Sequence, residues 1–286
     1  MNVPTLFTFL CVLAYPALFA AYLALHQVTL KQLRSGEYPF VGLANVIKLF
    51  VDPLFLISLS NTAVFAIFTV TAEIVLAIAI ALLINQSSVW TSRITRVLIL
   101  LPFAVPPIAN GLIWTFIYDY NGGFLNRILL STGLAESPIH WLGNPDTAIY
   151  AVGVPYIWRT LPFCVLLVHA ALQGMSRDYY EAAAIDGASA WQRFWAITLP
   201  MLRPVIVVLL ILRTASAVVV FDEILALTGG GPGDATWVAA WYSYRKSFQP
   251  PFDLGLGAAS AYALAVIIGL LSLIYIRLIY RRAEGT

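Results

Sequence analysis

Charge is what this chain has least of. Asp, Glu, Lys and Arg make up 10% of its 286 residues, while hydrophobic residues make up 60%. Soluble domains run at about 25% charged, so a chain this poor in charge has too little polar surface to face water all round. A surface that faces lipid needs none. The net charge is +2, with no run of basic residues, which excludes nucleic acid as a partner. The two cysteines, Cys11 and Cys164, lie inside apolar stretches and read as small buried hydrophobes. They give neither a disulfide framework nor a metal-ligand spacing. The three histidines, His26, His140 and His169, are far apart in sequence, so no metal site is expected. The glycine run Gly229–Gly231 is followed by Pro232 rather than by a lysine, so it does not form a phosphate-binding loop. No catalytic constellation is present, and no catalytic residue is assigned.

The chain does contain long apolar runs. A membrane-spanning helix needs roughly 20 mostly apolar residues. Six stretches qualify: about 6–25, 59–84, 97–118, 148–172, 204–227 and 256–280. The third carries Pro102, Pro106 and Pro107, a candidate hinge. The expected fold is therefore all-α and polytopic, with six transmembrane helices in one domain covering 1–286. The first stretch lacks a basic leader and is long for a signal core, so it reads as a retained helix.

Loop charges give the orientation. If the segment after the fourth stretch is cytoplasmic, that side holds Arg93, Arg96, Arg177, Arg193, Arg203, Arg277, Arg281 and Arg282. The other side holds Lys31, Arg34, Lys48, Arg127, Arg245 and Lys246. The excess, led by Arg281 and Arg282, places both termini inside. In the outer loops, Phe124–Leu130 reads as a short interfacial helix, and Trp141, Trp237, Trp241 and Tyr242 as headgroup-level anchors.

Residues 175–204 are too polar to span and too patterned for a plain linker. Ser176 can cap a helix starting at Arg177, with Asp178 in the dipole-favoured first turn. Gly187 is a natural stop, since glycine accepts the left-handed conformation. Ser189 and Gln192 form a capping box for a second helix, expected to end near Leu199–Pro200. The result is a helix–turn–helix between two spans. It reads either as an amphipathic loop lying in the interface or as an element that fits a groove on a partner.

These residues carry a family resemblance. Glu181-Ala182-Ala183, Asp186-Gly187-Ala188, Phe194, Ile197, Leu199-Pro200 and Pro204 resemble the EAA loop of ABC importer permeases. Trp158-Arg-Thr-Leu-Pro-Phe163 before it, and Phe221-Asp222 with Leu227-Thr-Gly-Gly-Gly-Pro232 after it, are similar to carbohydrate-importer permeases of the maltose type. The resemblance implies the type I importer fold and a place in the prokaryotic plasma membrane. It implies that the loop couples to an ATPase through Glu181, Ala182, Ala183, Asp186, Gly187, Leu199 and Pro200. The implied partners are a second, different permease, two copies of a cytoplasmic ATPase, an extracytoplasmic solute-binding protein and a sugar. ATP and magnesium would be bound by the ATPases, and no cofactor by this chain. Relatives often carry a charged or bulky residue where this chain has Ser216 and Val219.

Charges within spans are costly and mark function by default. Here they are Glu73, Arg159, Arg213, Asp222 and Glu223. Tyr156, Arg159, Thr160 and Phe163 share one helix face, as do Arg213, Ser216, Ala217 and Val220. The resemblance implies that these two faces, with Asp222, line the sugar path. Two readings of the arginines stand: they bind cargo, or they pair with Glu73, Asp222 or Glu223 to hold the bundle. Asp222 and Glu223, near the end of their stretch, read as solvated. Rival functions are import of a glycerol-phosphate-type or other anionic solute, which two arginines would suit, and a secondary transporter or channel, which has no use for a docking loop.

Overall fold

The computed structural model describes residues 6–7, 9–86, 95 and 97–280, with side chains to 277. Arg93, Arg96, Arg281 and Arg282, which carry much of the charge bias, lie outside the described residues.

Among the described residues, four helices are long and apolar enough to cross a membrane: α4 (Pro53–Gln86), α8 (Ala148–Gln173), α10 (Ala190–Val218) and α13 (Leu254–Arg277, running on to Tyr280). α5 (Val97–Ala104) and α6 (Pro107–Ile117) form a bent pair inclined at 101°, the geometry of a broken span or a re-entrant loop, and make a fifth crossing if taken as one span. The first apolar stretch forms the shorter α1 (Phe9–Ala24), whose opening turns are π-helical. The loops hold α2 (Leu30–Ser35), α3 (Ala44–Val51), α7 (Phe124–Ser131), α9 (Asp178–Ile185), α11 (Asp222–Leu227) and α12 (Ala239–Phe248). No strand occurs among the described residues.

Two of the expected stretches are broken. The third bends at Val105 and Pro106, whose ψ values of 126° and 144° are extended. Each precedes a proline, and a proline ring disfavours the helical region for the residue before it. The fifth stretch ends at Val218. Val219 (φ −101°, ψ 17°) and Phe221 (φ −141°, ψ −50°) leave helical geometry, and the chain restarts as α11.

The α4–α8 pair forms the centre. α10 packs on both helices of the pair, α13 packs on α10 and α12, and α1 lies against α13. Pro155 lies inside α8 and cannot donate to the carbonyl of Ala151. The hydroxyl of Tyr118 donates to that carbonyl instead, at 2.9 Å, the kind of replacement that lets proline persist in membrane helices. Exposed Ile67, Leu83, Val266 and Leu270 give α4 and α13 an apolar outer face suited to lipid.

Burial corrects three expectations. Trp241 and Tyr242 are buried in the core and are not headgroup anchors, because α12 folds back onto α4 and α13. Glu223 is 2% exposed rather than solvated. Cys11 is exposed on the apolar surface of α1, while Cys164 is buried.

A buried charge network and a helical loop

Two apolar clusters divide the bundle lengthwise. One contains Phe65, Val70, Tyr156 and Ala217. The other contains Ala77, Ala81, Cys164 and Leu209. Between them, on the same three helices, lie Glu73, Thr160 and Arg213. The polar layer is thus set into the bundle by sequence spacing: Glu73 falls one turn from both Val70 and Ala77, Thr160 from Tyr156 and Cys164, and Arg213 from Leu209 and Ala217.

Glu73 of α4 is fully buried. Its carboxylate receives Arg213 Nε at 2.7 Å and Nη2 at 2.9 Å, one bond to each oxygen, so the guanidinium fork is matched. The hydroxyl of Thr160 on α8 donates to the same carboxylate. One acidic residue therefore ties α4, α8 and α10 together. Arg159 takes a different partner. Its Nε and Nη2 both donate to Glu223 Oε1 on α11, at 3.1 and 2.8 Å. The helix break at Val219–Phe221 turns Glu223 back toward α8 and makes this contact possible. The Tyr156 ring lies between the two pairs, with the guanidinium carbons of Arg159 and Arg213 at 5.9 and 5.3 Å from its centroid.

Tyr156, Arg159, Thr160 and Arg213 are thus brought together. Phe163 lies one turn along α8, half-buried and stacked on Phe103 at 6.1 Å. Asp222 is half-buried and enters no ion pair among the described residues. Ser216 is exposed and donates to its own helix at Leu212, and Val220 is buried in the core. The sequence gives no sign of the tight seam between α6 and α11. There a Cβ on Gly111 would lie 2.4 Å from that of Ala226.

At the far end of α8 the chain forms the expected helix–turn–helix. The Ser176 hydroxyl accepts the Asp178 N–H at 3.2 Å, and α9 starts at Asp178, one residue later than expected. Gly187 (φ 80°) makes the turn, with the Ala188 N–H donating to Ala183 at 2.9 Å. The capping box is present: Gln192 N–H donates to Ser189 Oγ at 3.3 Å, and Ser189 N–H donates to Gln192 Oε1 at 2.8 Å. The second helix does not stop near Leu199–Pro200. It passes through a π-helical turn at Phe194–Thr198 and continues as the rest of α10. Proline is tolerated at Pro200 because the π-to-α junction behaves as a helix start, where its N–H is not needed. The second helix of the loop and the span carrying Arg213 are therefore one rod, from Ala190 to Val218.

Glu181, Ala182, Asp186 and Gly187 are exposed, and Ala183, Leu199 and Pro200 are half-buried. Ile185 projects with 87% exposure. Tyr180 anchors the loop from within, its hydroxyl 3.3 Å from Met175 Sδ and 3.0 Å from Thr198 Oγ1.

Comparison with known proteins gives the family and the fold. Residues 73–284 match the family described as binding-protein-dependent transport system inner membrane component. The chain is 37% identical to the trehalose/maltose transport system permease protein of Thermococcus litoralis, over 97% of this chain and 91% of that one. It is 34% identical to the sulfoquinovosyl glycerol transport system permease protein of Agrobacterium fabrum, over 94% and 85%. Its fold matches a chain of a bacterial alginate ABC transporter solved with an alginate pentasaccharide-bound periplasmic protein. There the TM-score is 0.82 at 24% identity, over 99% and 93% of the two chains. The chain belongs to the family of inner membrane components of binding-protein-dependent transport systems.

Proposed function

We propose that the chain is one membrane-spanning subunit of an ATP-driven importer for a sugar. It forms half of the translocation path and couples that path to cytoplasmic ATPases. Its partners in this reading are a second, different permease, two ATPase copies and an extracytoplasmic solute-binding protein. The ATPases bind ATP and magnesium, and the whole chain acts as one permease domain with both termini cytoplasmic. The carrying observation is the unbroken rod from Ala190 to Val218. A force that α9 passes through the Gly187 turn to Ala190 reaches Arg213 along one continuous helix, and through Glu73 reaches α4 and α8.

In this reading α9 docks on the ATPase. Glu181, Ala182, Ala183, Asp186 and Gly187 form the contact, and Leu199 and Pro200 begin the lever. Small side chains allow close approach, and exposed Ile185 supplies an apolar knob. On the path, Arg159, Phe163, Ser216 and Asp222 face the cargo, being at least partly accessible. Tyr156, Thr160, Arg213 and Val220 form the wall behind them. The sugar relatives support this cargo class. The sulfoquinovosyl glycerol relative supports a second reading, an anionic glycoside held by Arg159.

The test is ATPase stimulation of the purified complex, with its solute-binding protein, across sugars and anionic glycosides. Stimulation by a neutral sugar, abolished by Glu181→Lys in a complex that still assembles, is expected. Stimulation surviving Glu181→Lys refutes the coupling role. Stimulation by anionic glycosides alone refutes the neutral-sugar cargo.

A further inference from the structure

A cavity of about 1250 Å³ lies between the loop and the inner ends of α4 and α8. Its described lining holds Arg177 and Arg193 but no Asp or Glu. The Nε of Arg193 is buried with no hydrogen-bond partner, and an unpaired buried donor of this kind is costly unless a ligand completes it. The rest of the lining is mostly apolar. Val75, Ile78 and Leu82 form one wall. From Val75 to Gln86 that wall runs about 16 Å at 1.5 Å per residue. Val75 is 61% exposed, so the cavity opens sideways onto the same apolar flank of α4 that carries exposed Leu76 and Leu83. Trp191 and Trp195, 68% and 52% exposed, stand on the loop side of the cavity.

We propose that this groove binds an anionic phospholipid from the leaflet on the loop's side, with its phosphate on Arg177 and Arg193 and an acyl chain along α4. Charge complementarity selects an anion, since the described lining carries cationic groups and no carboxylate. The lateral opening onto lipid-facing surface selects an amphiphile over a soluble anion. Paired guanidinium donors suit a phosphate, basic pockets at helix ends take anionic headgroups, and indole rings settle at headgroup level. The site lies on the inner side of the loop and leaves the outward face of α9 free. It also does not depend on which solute is carried. A lipid seated there braces the loop against α4 and α8, so coupling gains a dependence on membrane composition.

Native mass spectrometry of the purified transporter complex, titrated with phosphatidylglycerol or phosphatidylcholine, tests this. The complex is expected to retain phosphatidylglycerol in preference to phosphatidylcholine. Arg177→Gln with Arg193→Gln should weaken retention about tenfold, the loss expected for charge-assisted hydrogen bonds. Arg203→Gln, an exposed change outside the groove, should leave it unaltered. Equal retention of the two lipids, or retention unchanged in the double variant, overturns the proposal. Displacement by millimolar inorganic phosphate would assign the site to a soluble anion and also overturn it. If the double variant fails to assemble, Gln173→Cys carrying a photo-crosslinker in a Cys11→Ser background decides the matter: a phosphatidylglycerol adduct supports the proposal. An adduct to the ATPase subunit, or none to lipid, overturns it. Either result leaves the Glu181 coupling test unaffected.

Discussion

Arg213 and Glu73 form a matched fork at 2.7 and 2.9 Å across 140 residues of sequence, with the carboxylate wholly buried. The pair fastens α10 to the central helix α4. Breaking such a pair leaves an uncompensated charge inside the bundle, at a cost of about 3–5 kcal/mol. Arg213→Ala and Glu73→Gln are each expected to lower the midpoint of thermal unfolding of the complex and its assembled yield. The combination Glu73→Leu with Arg213→Leu should recover much of that loss. A double variant as unstable as the sum of the singles would mean that the two side chains do not stabilise each other.

Arg159 behaves differently because its side chain is 15% exposed and both of its bonds go to one oxygen of Glu223. Arg159→Ala combined with Glu223→Gln, which leaves no buried carboxylate unpaired, is expected to leave assembly largely intact while raising the KM of cargo-stimulated ATPase, and Arg159→Lys alone should raise it less. Collapse of the complex with unchanged KM in the surviving fraction would assign Arg159 to the scaffold alone.

Gly187 holds φ at 80° in the turn between α9 and α10. A side chain there meets no neighbour within 4 Å, so only backbone strain opposes it, about 1–2 kcal/mol. Gly187→Ala should therefore increase limited proteolysis of the loop and reduce ATPase stimulation, with little change in the unfolding midpoint. Gly187→Val should do so more strongly. An unaltered digestion pattern in both variants would show that the turn tolerates a side chain.

The α6–α11 seam offers a packing test. With 2.4 Å between a Cβ on Gly111 and that of Ala226, Gly111→Ala forces the helices apart and should cost about 1–3 kcal/mol. Adding Ala226→Gly moves the methyl to the other side of the seam and should restore stability. Failure of the second change to rescue the first would place the strain elsewhere.

Asp52, just before α4, gives a pH dependence. Burial pushes its carboxyl upward, but hydrogen bonds from the Tyr242 hydroxyl (2.7 Å) and the Leu54 N–H (2.9 Å), with Lys246 at 3.4 Å, outweigh it and hold the group below the usual value. The folded state thus binds this proton less readily than the unfolded chain. The stabilisation is present above the unfolded value of about 3.9 and is lost as pH falls through the folded one. Tyr242→Phe should shift acid unfolding of the complex to higher pH and have a smaller effect on the acid response of a variant already carrying Asp52→Asn. An identical acid midpoint in wild type and Tyr242→Phe would remove the link.

By itself the sequence determined the membrane character, the apolar stretches and the local design of the loop. These depend on composition and on neighbours within one or two turns: scarce charge, runs of apolar residues, the Ser189–Gln192 capping box and the left-handed Gly187. Helical spacing also placed Tyr156, Arg159 and Thr160 on one face. Only the tertiary structure decided which charge meets which. A helix face has a direction but no address, and Arg213 could have met any of three carboxylates at equal sequence cost. Packing of α10 on α4 gave it Glu73, and the break at Val219–Phe221 delivered Glu223 to Arg159. The same holds for Tyr242, whose burial follows from α12 folding back onto α4 and α13, and for the second loop helix, whose Pro200 reads as a stop. There the π-helical turn carried the chain through, and a helix that the sequence presents as a separate unit became the start of the transmembrane helix α10.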